Sequence, residues 1–176
     1  RNIPDAIGTA FVLAEIRMAQ GHLRDAASTL GQALQFVVDQ GKPLPPDTAE
    51  LYRGLSELYC ERGELDSAQR YLSAGKELDG GSELLGQQQR LRVSEALMKQ
   101  SLGDLDGALD LLYEAEHLYI SSPLPVVRPI PALRARIWIA QGKLAEALNW
   151  VLQQGLSIDD ELSYVHEFEP SPWPEF

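Results

Sequence analysis

Three arginines, Arg53, Arg90 and Arg136, stand in segments whose apolar spacing is helical. A guanidinium offers a planar fork of donors that matches a carboxylate or phosphate through two bonds at once. On the same segments, or on the matching one upstream, lie Phe11, Glu15, Met18, Glu57, Cys60, Leu97, Gln100 and Ile139. Phe11, Glu15, Arg53, Glu57, Arg90, Gln100 and Arg136 together make a mixed groove able to hold a carboxylate-, phosphate- or sugar-bearing ligand, or a protein partner. Taken singly, each of these side chains is equally at home as a solvated helix residue.

Other chemistries find no support. Gly41-Lys42, Gly75-Lys76 and Gly142-Lys143 are followed by Pro43, Glu77 and Leu144, so none is a phosphate loop, which needs Ser or Thr there. His22, His117 and His166 are too scattered for a metal site, and His166-Glu167 has no second histidine downstream. Cys60 has no recognisable partner base and reads as a small core or groove residue. Paired carboxylates carry no information in so acidic a chain. The expectation is a binding protein, not an enzyme, with no cofactor and no metal.

The 176 residues suit one domain, and 26 acids against 15 bases give a formal charge of −11. Affinity for DNA or RNA comes mainly from phosphate contacts, so this surface repels nucleic acid and anionic membranes alike. Proteins, peptides and small molecules remain as partners. One cysteine excludes an internal disulfide, which fits a reducing cytoplasm. No run of about 18 apolar residues is present, and no basic-then-apolar leader opens the chain. Arg1 at one end and the proline-rich 170–176 at the other read as the edges of a piece of something larger. The expected division is a helical-repeat domain over 1–169 and an unstructured tail over 170–176.

The elements that must position the arginines announce themselves by repetition. The pattern G-x-L-x-x-A occurs at Gly21/Leu23/Ala26, Gly63/Leu65/Ala68, Gly103/Leu105/Ala108 and Gly142/Leu144/Ala147. The glycines are 42, 40 and 39 residues apart (63−21, 103−63, 142−103). Each copy sits between two apolar-periodic segments, so each predicts a helix, a glycine turn and a second helix. Glycine ends the first helix because it takes the left-handed conformation without a Cβ clash. The leucine packs into the elbow, and the alanine is small where two backbones come close. Leu30/Ala33, Leu72/Gly75 and Leu112/Ala115 continue the same face of the second helix at i+4 and i+7. Ala14, Ser56, Ala96 and Ala135, seven residues before each glycine, are the matching small residues on the first helix.

Loops separate the pairs: Gly41 to Pro46, with Asp47 or Thr48 placed to cap the next helix, then Asp79 to Ser82, then Ser121 to Pro131. Asp159-Asp160-Glu161 starts a further helix that runs to about Phe168. The fold class read from this is all-α: a right-handed α-solenoid of about four tetratricopeptide-like helix hairpins with a period of about 40, plus a partial C-terminal helix. A plain helical bundle with recurrent glycine turns is the alternative, though a bundle has no need of a constant period. In a solenoid the first helices line the concave wall, which places the candidate groove residues there. Glu95 and Arg134 fall on positions that are usually apolar. A peptide-clamp tetratricopeptide domain uses Lys and Asn where pair one has Phe11 and Glu15, which disfavours that use.

Three stretches resemble a known family. Glu57-Leu-Tyr-Cys-Glu-Arg-Gly-Glu-Leu-Asp-Ser-Ala68, Arg134-Ala-Arg-Ile-Trp-Ile-Ala-Gln-Gly142 and Gly155-Leu-Ser-Ile-Asp-Asp-Glu-Leu-Ser-Tyr-Val-His-Glu-Phe-Glu169 are similar to the helical-repeat sensor region of large ATP-dependent, LuxR-type regulators of the maltose-regulon-activator kind. The resemblance spans about residues 8 to 169 and breaks at Pro170-Ser-Pro-Trp-Pro. It implies a cytoplasmic, bacterial region between a switch ATPase and a helix-turn-helix DNA reader, neither of which this chain holds. It also implies sensing of a small-molecule inducer, with self-association, the regulator's own ATPase region or the transcription machinery as protein partners. A purely structural adaptor without a small-molecule ligand is the rival reading.

Overall fold

A computed structural model describes residues 3–41, 43–79, 85–118 and 129–155. Every copy of the repeated pattern folds as a turn between two helices. The order is α1 (Ile3–Ala19), α2 (Leu23–Asp39), α3 (Thr48–Glu61), α4 (Leu65–Asp79), α5 (Leu85–Ser101), α6 (Leu105–His117), α7 (Ile130–Ala140) and α8 (Leu144–Gln153), with no strand among the described residues. Gly21, Gly63, Gly103 and Gly142 hold φ between 73° and 85°, the left-handed region that the turn requires. In each turn the N–H of the glycine and of the residue after it bond back to the end of the first helix, as in Gly63 N to Cys60 O and Glu64 N to Tyr59 O.

The paired small residues do what their spacing predicts. Ala14, Ala26, Ser56, Ala68, Ala96, Ala108, Ala135 and Ala147 are all buried. Across each hairpin they let two backbones approach, and the leucines four residues on, Leu30, Leu72 and Leu112, fill the space beyond. Gly54 extends the same logic between pairs. A Cβ there would stand 3.2 Å from Leu30 Cδ1 and 3.4 Å from the Phe11 ring, so its absence lets pair one close onto α3.

Hairpins stack in chain order. Each helix packs on the next, and α1, α3 and α5 also touch directly as a row of first helices. One core cluster joins pairs one and two through Ile7, Leu30, Val37, Leu51, Leu55 and Leu58. A second joins pairs three and four through Leu97, Leu109, Leu112, Leu133 and Ile137. Ala68, Leu72 and Met98 bridge α4 to α5. Among the described residues the architecture is an α-solenoid of four hairpins, not a closed bundle.

Three details depart from the sequence reading. Asp47 occupies the position before α3, but neither it nor Thr48 makes a side-chain cap. The N–H groups of Thr48 and Ala49 already donate to the carbonyls of Pro45 and Pro46, so the proline turn takes the place of a cap. A side-chain cap forms instead at α6, where Asp104 accepts from the Gly107 N–H at 3.0 Å. Leu144 does not sink into an elbow as Leu23 and Leu105 do; it is exposed, because no described helix packs on that side of α8. Met18 and Leu97, expected on the inner wall, are buried core residues. Most of the loop residues expected between Asp79 and Ser82 and between Ser121 and Pro131, the helix over Asp159 to Phe168, His166 and the proline-rich 170–176 lie outside the described residues.

Leu30 is wholly enclosed, whereas Leu152 is mostly exposed. Leu30→Ala is expected to lower unfolding stability by about 2–5 kcal/mol, and Leu152→Ala to change it by less than about 0.5 kcal/mol. Denaturant titration of both variants checks this, and equal losses would contradict the packing described.

Candidate functional site

The row α1–α3–α5 carries a chain of polar contacts centred on Arg53. On α3 the residues Glu50, Arg53 and Glu57 follow at i+3 and i+4 spacing, so one face presents acid, base and acid. Arg53 Nη2 and Nε donate to Glu50 Oε2 at 2.8 and 3.2 Å, and Nη1 donates to Glu57 Oε1 at 2.6 Å. The guanidinium carbon lies 4.4 Å from the centre of the Phe11 ring on α1, a cation–π contact. From α5, Arg90 Nη2 reaches Glu50 Oε1 at 2.9 Å and the Ser94 hydroxyl donates to Glu57 Oε1 at 2.6 Å. Three first helices are thereby tied through two carboxylates, two guanidinium groups, one hydroxyl and one ring.

Arg53, Glu57 and Ser94 are buried, and such groups are tolerated only when paired. Burial disfavours the Arg53 charge, but Glu57, Glu50 and the more distant Glu15 outweigh it and hold its pKa above the usual arginine value. Arg53 is therefore permanently charged and engaged on several sides, which makes it a clamp between pairs. Arg90 differs: its side chain is half exposed, and its ion pair to Glu50 is open to competition from solvent or a ligand. Beside them lies a crevice of about 30 Å³ lined by Glu50, Arg53, Leu72, Gln87 and Leu91, room for about one water.

Of the seven groove residues read from the sequence, Phe11, Arg53, Glu57 and Arg90 meet in this network, and the charge of Glu15 acts on Arg53. Gln100, half-buried in the last turn of α5, and Arg136, exposed on α7, are not part of it. Glu50 and Ser94 were not singled out by the sequence reading. The Glu50–Arg53–Glu57 spacing was a visible signal for the first, whereas Ser94 becomes meaningful only when α5 is laid against α3. Cys60 is half-buried near Ala68 and Met98, where burial pushes its thiol pKa up and away from nucleophilic chemistry. His22 sits exposed before α2, and His117 Nδ1 is 2.7 Å from the Tyr113 carbonyl.

The two charged residues at usually apolar positions are each matched across a pair boundary. Arg134 of α7 bonds Glu116 at 2.9 Å and lies over the rings of Tyr113 and Trp138. Glu95 of α5 takes Lys76 from α4 and Arg92 from its own helix. Burial alone would raise the Glu95 pKa, but the bonds from Lys76 and Arg92 prevail and hold it below the ordinary carboxylate value. Among the described residues no group of three or more His, Cys, Asp or Glu is placed to hold a metal ion, and no helix is long and apolar enough to cross a membrane.

A family model described as the MalT-like TPR region matches residues 1–171. Among solved structures the chain is similar to the nearly identical TPR-like repeats of a kinesin-light-chain candidate from Podosopora anserina. The likeness is 19% identity over 85% of this chain and 74% of that one, with a TM-score of 0.54. A point variant of that protein aligns at 18% identity over 87% and 74%, also with a TM-score of 0.54. At such identity the likeness is one of fold. No curated protein sequence matches significantly.

Two outcomes follow. Arg53→Ala is expected to cost about 3–5 kcal/mol, because it strands Glu57 in a buried site, while Arg90→Ala costs about 1 kcal/mol or less. A lowered pKa means Glu95 stabilises the fold above its unfolded value near 4.5 and loses that contribution as pH falls through the lower folded value. Glu95→Gln should therefore lower stability at pH 7 and converge with the parent at low pH. Urea titration at both pH values reads this, and a constant offset at both would contradict it.

Proposed function

The chain belongs to the family of MalT-like TPR regions, and from that premise we propose that it works as the sensing and protein-interaction region of a bacterial LuxR-type transcriptional regulator. It passes inducer or partner binding in the cytoplasm to a switch ATPase and a DNA reader carried elsewhere in the regulator. We assign it no catalysis and no cofactor.

One observation carries this reading: the carboxylate of Glu50 is divided between Arg53 of its own helix and Arg90 of α5. A ligand acid or phosphate, or an acidic side chain of a partner, that engages the half-exposed Arg90 takes it from Glu50. Glu50 is then left to Arg53 alone, and the α3–α5 tie loosens. A ligand that prefers the loosened arrangement shifts the solenoid towards a different curvature, by as much as its affinities for the two arrangements differ.

A second reading has its own support. Arg53 is already engaged, and the crevice beside it admits about one water. A wall of this kind suits a flat protein contact, so the chain is also read as a structural adaptor without a small-molecule ligand.

Calorimetric titration with sugars, nucleotides and acidic peptides tests the pair of readings. For sensing, a saturable heat is expected that weakens about tenfold or more in an Arg90→Ala/Arg136→Ala variant whose fold and assembly are intact. Both arginines are exposed enough to remove without unfolding the chain. If no compound binds while the intact regulator still takes up inducer, sensing by this region fails. Loss of assembly in the same variant points to the adaptor.

A further inference from the structure

The four hairpins are joined by two kinds of boundary. Between pairs one and two, Leu51, Leu55 and Leu58 of α3 share one apolar cluster with Ile7, Leu30 and Val37. Between pairs three and four, Leu133 and Ile137 of α7 do the same with Leu109 and Leu112 of α6. Between pairs two and three the buried apolar residues that meet are Ala68, Leu72 and Met98. The difference lies in α5. Ser94 stands at the same distance from its turn glycine as Leu133 of α7, and Glu95 at the same distance as Leu55 of α3. The crevice of about 30 Å³ lies at this same seam, lined from α3 by Glu50 and Arg53, from α4 by Gly75 and from α5 by Leu91.

The polar contacts that cross the seam are arranged so that it parts at little cost. Glu50 gives up Arg90 and keeps Arg53, and Glu57 gives up Ser94 and keeps Arg53. Ser94 has the Arg90 carbonyl of its own helix at 3.1 Å. Glu95 keeps Arg92 at 2.9 Å when Lys76 of α4 withdraws. Arg90 and Lys76 are about half exposed, so water receives them. Opening therefore strands no buried charge, the outcome that makes breaking an interior polar contact expensive. What opposes it is a small apolar contact and two partly exposed ion pairs, each weak and screened by salt.

In a solenoid, stability is a sum over repeats and their nearest-neighbour interfaces, so the array parts first at its weakest interface. We propose that the boundary between α4 and α5 is a hinge. Pairs one and two move as one body and pairs three and four as another, turning about Met98 where it lies on Ala68 and Leu72. The Arg90–Glu50 and Lys76–Glu95 pairs are the latch. Methionine suits the pivot, since its unbranched chain adjusts to a changing surface. The hinge belongs to the free chain and holds whether or not the wall takes an inducer, so its test uses no ligand.

Ser28, Arg70, Asp110 and Asn149 are exposed and stand in equal register on the four second helices, so neighbouring pairs of them report the three boundaries in turn. Nitroxides are placed there on genetically encoded ketone residues, which leaves Cys60 untouched. Double electron–electron resonance on the full chain is then recorded from about 0.05 to about 1 M salt. The 70/110 distances are expected to gain a longer component that grows about fivefold over that range, while the 28/70 and 110/149 distances keep their widths. A Glu50→Gln/Glu95→Gln chain should show the high-salt distribution already at low salt, because the amides still accept from Arg53 and Arg92 but no longer attract Arg90 and Lys76 as ions. Broadening that is equal at all three boundaries, or larger at another, overturns the proposal, since the solenoid would then bend elsewhere or throughout. A 70/110 distribution unmoved by both salt and the paired substitution overturns it as well.

Discussion

Everything in this fold depends on how closely two helix backbones approach at the crossing inside each hairpin. The small residue seven places before the turn glycine and the alanine five places after it are buried in all four pairs, Ser56 being the single hydroxyl among them. Any larger side chain there would wedge the hairpin open, since interiors packed to crystal density have no slack to absorb it. The crossing and the left-handed glycine between them set the hairpin angle. With that angle fixed, the leucine one turn beyond the alanine meets the first helix of the next pair, and stacking in chain order follows.

Stacking in turn brings like positions of successive first helices side by side, and this gives Arg53 its setting. A buried guanidinium is a costly feature unless its partners arrive with it. Here two partners come from the same helix by i+3 and i+4 spacing, and the rest arrive only because α1 and α5 flank α3. An apolar side chain of similar volume would fill the space, but it would not fix the register between three helices. The polar solution supplies directional bonds to both neighbouring helices, and its outermost member, the Arg90–Glu50 pair, is half open to solvent. Cross-boundary pairs at Glu95 and Arg134 repeat the scheme on a smaller scale.

Much of this was legible beforehand. Four glycines at near-constant spacing with leucine and alanine at fixed offsets specify hairpins, because each residue type answers a local steric demand. The arginines and Phe11 were legible as first-helix residues for the same reason. Their connections were not, because bonds such as Ser94 to Glu57 span 37 positions and depend on how α5 is laid on α3. Met18 and Leu97 went to the core because the hairpin crossing turns their face inward, a rotation that period counting alone does not resolve. Asp47 looked like a cap by type, yet the preceding prolines had already supplied acceptors for the N–H groups it would have served.

The central claim is that α1, α3 and α5 act as one wall through a shared polar network, and a double-mutant cycle between Phe11 and Ser94 tests it most directly. These residues sit on different helices and meet through Arg53 and Glu57. Phe11→Ala and Ser94→Ala, measured singly and together by urea unfolding, are predicted to be non-additive by about 0.5 kcal/mol or more, the behaviour of members of one network. Additivity within about 0.3 kcal/mol would mean that the contacts are independent, and the wall would then be three helices merely lying side by side.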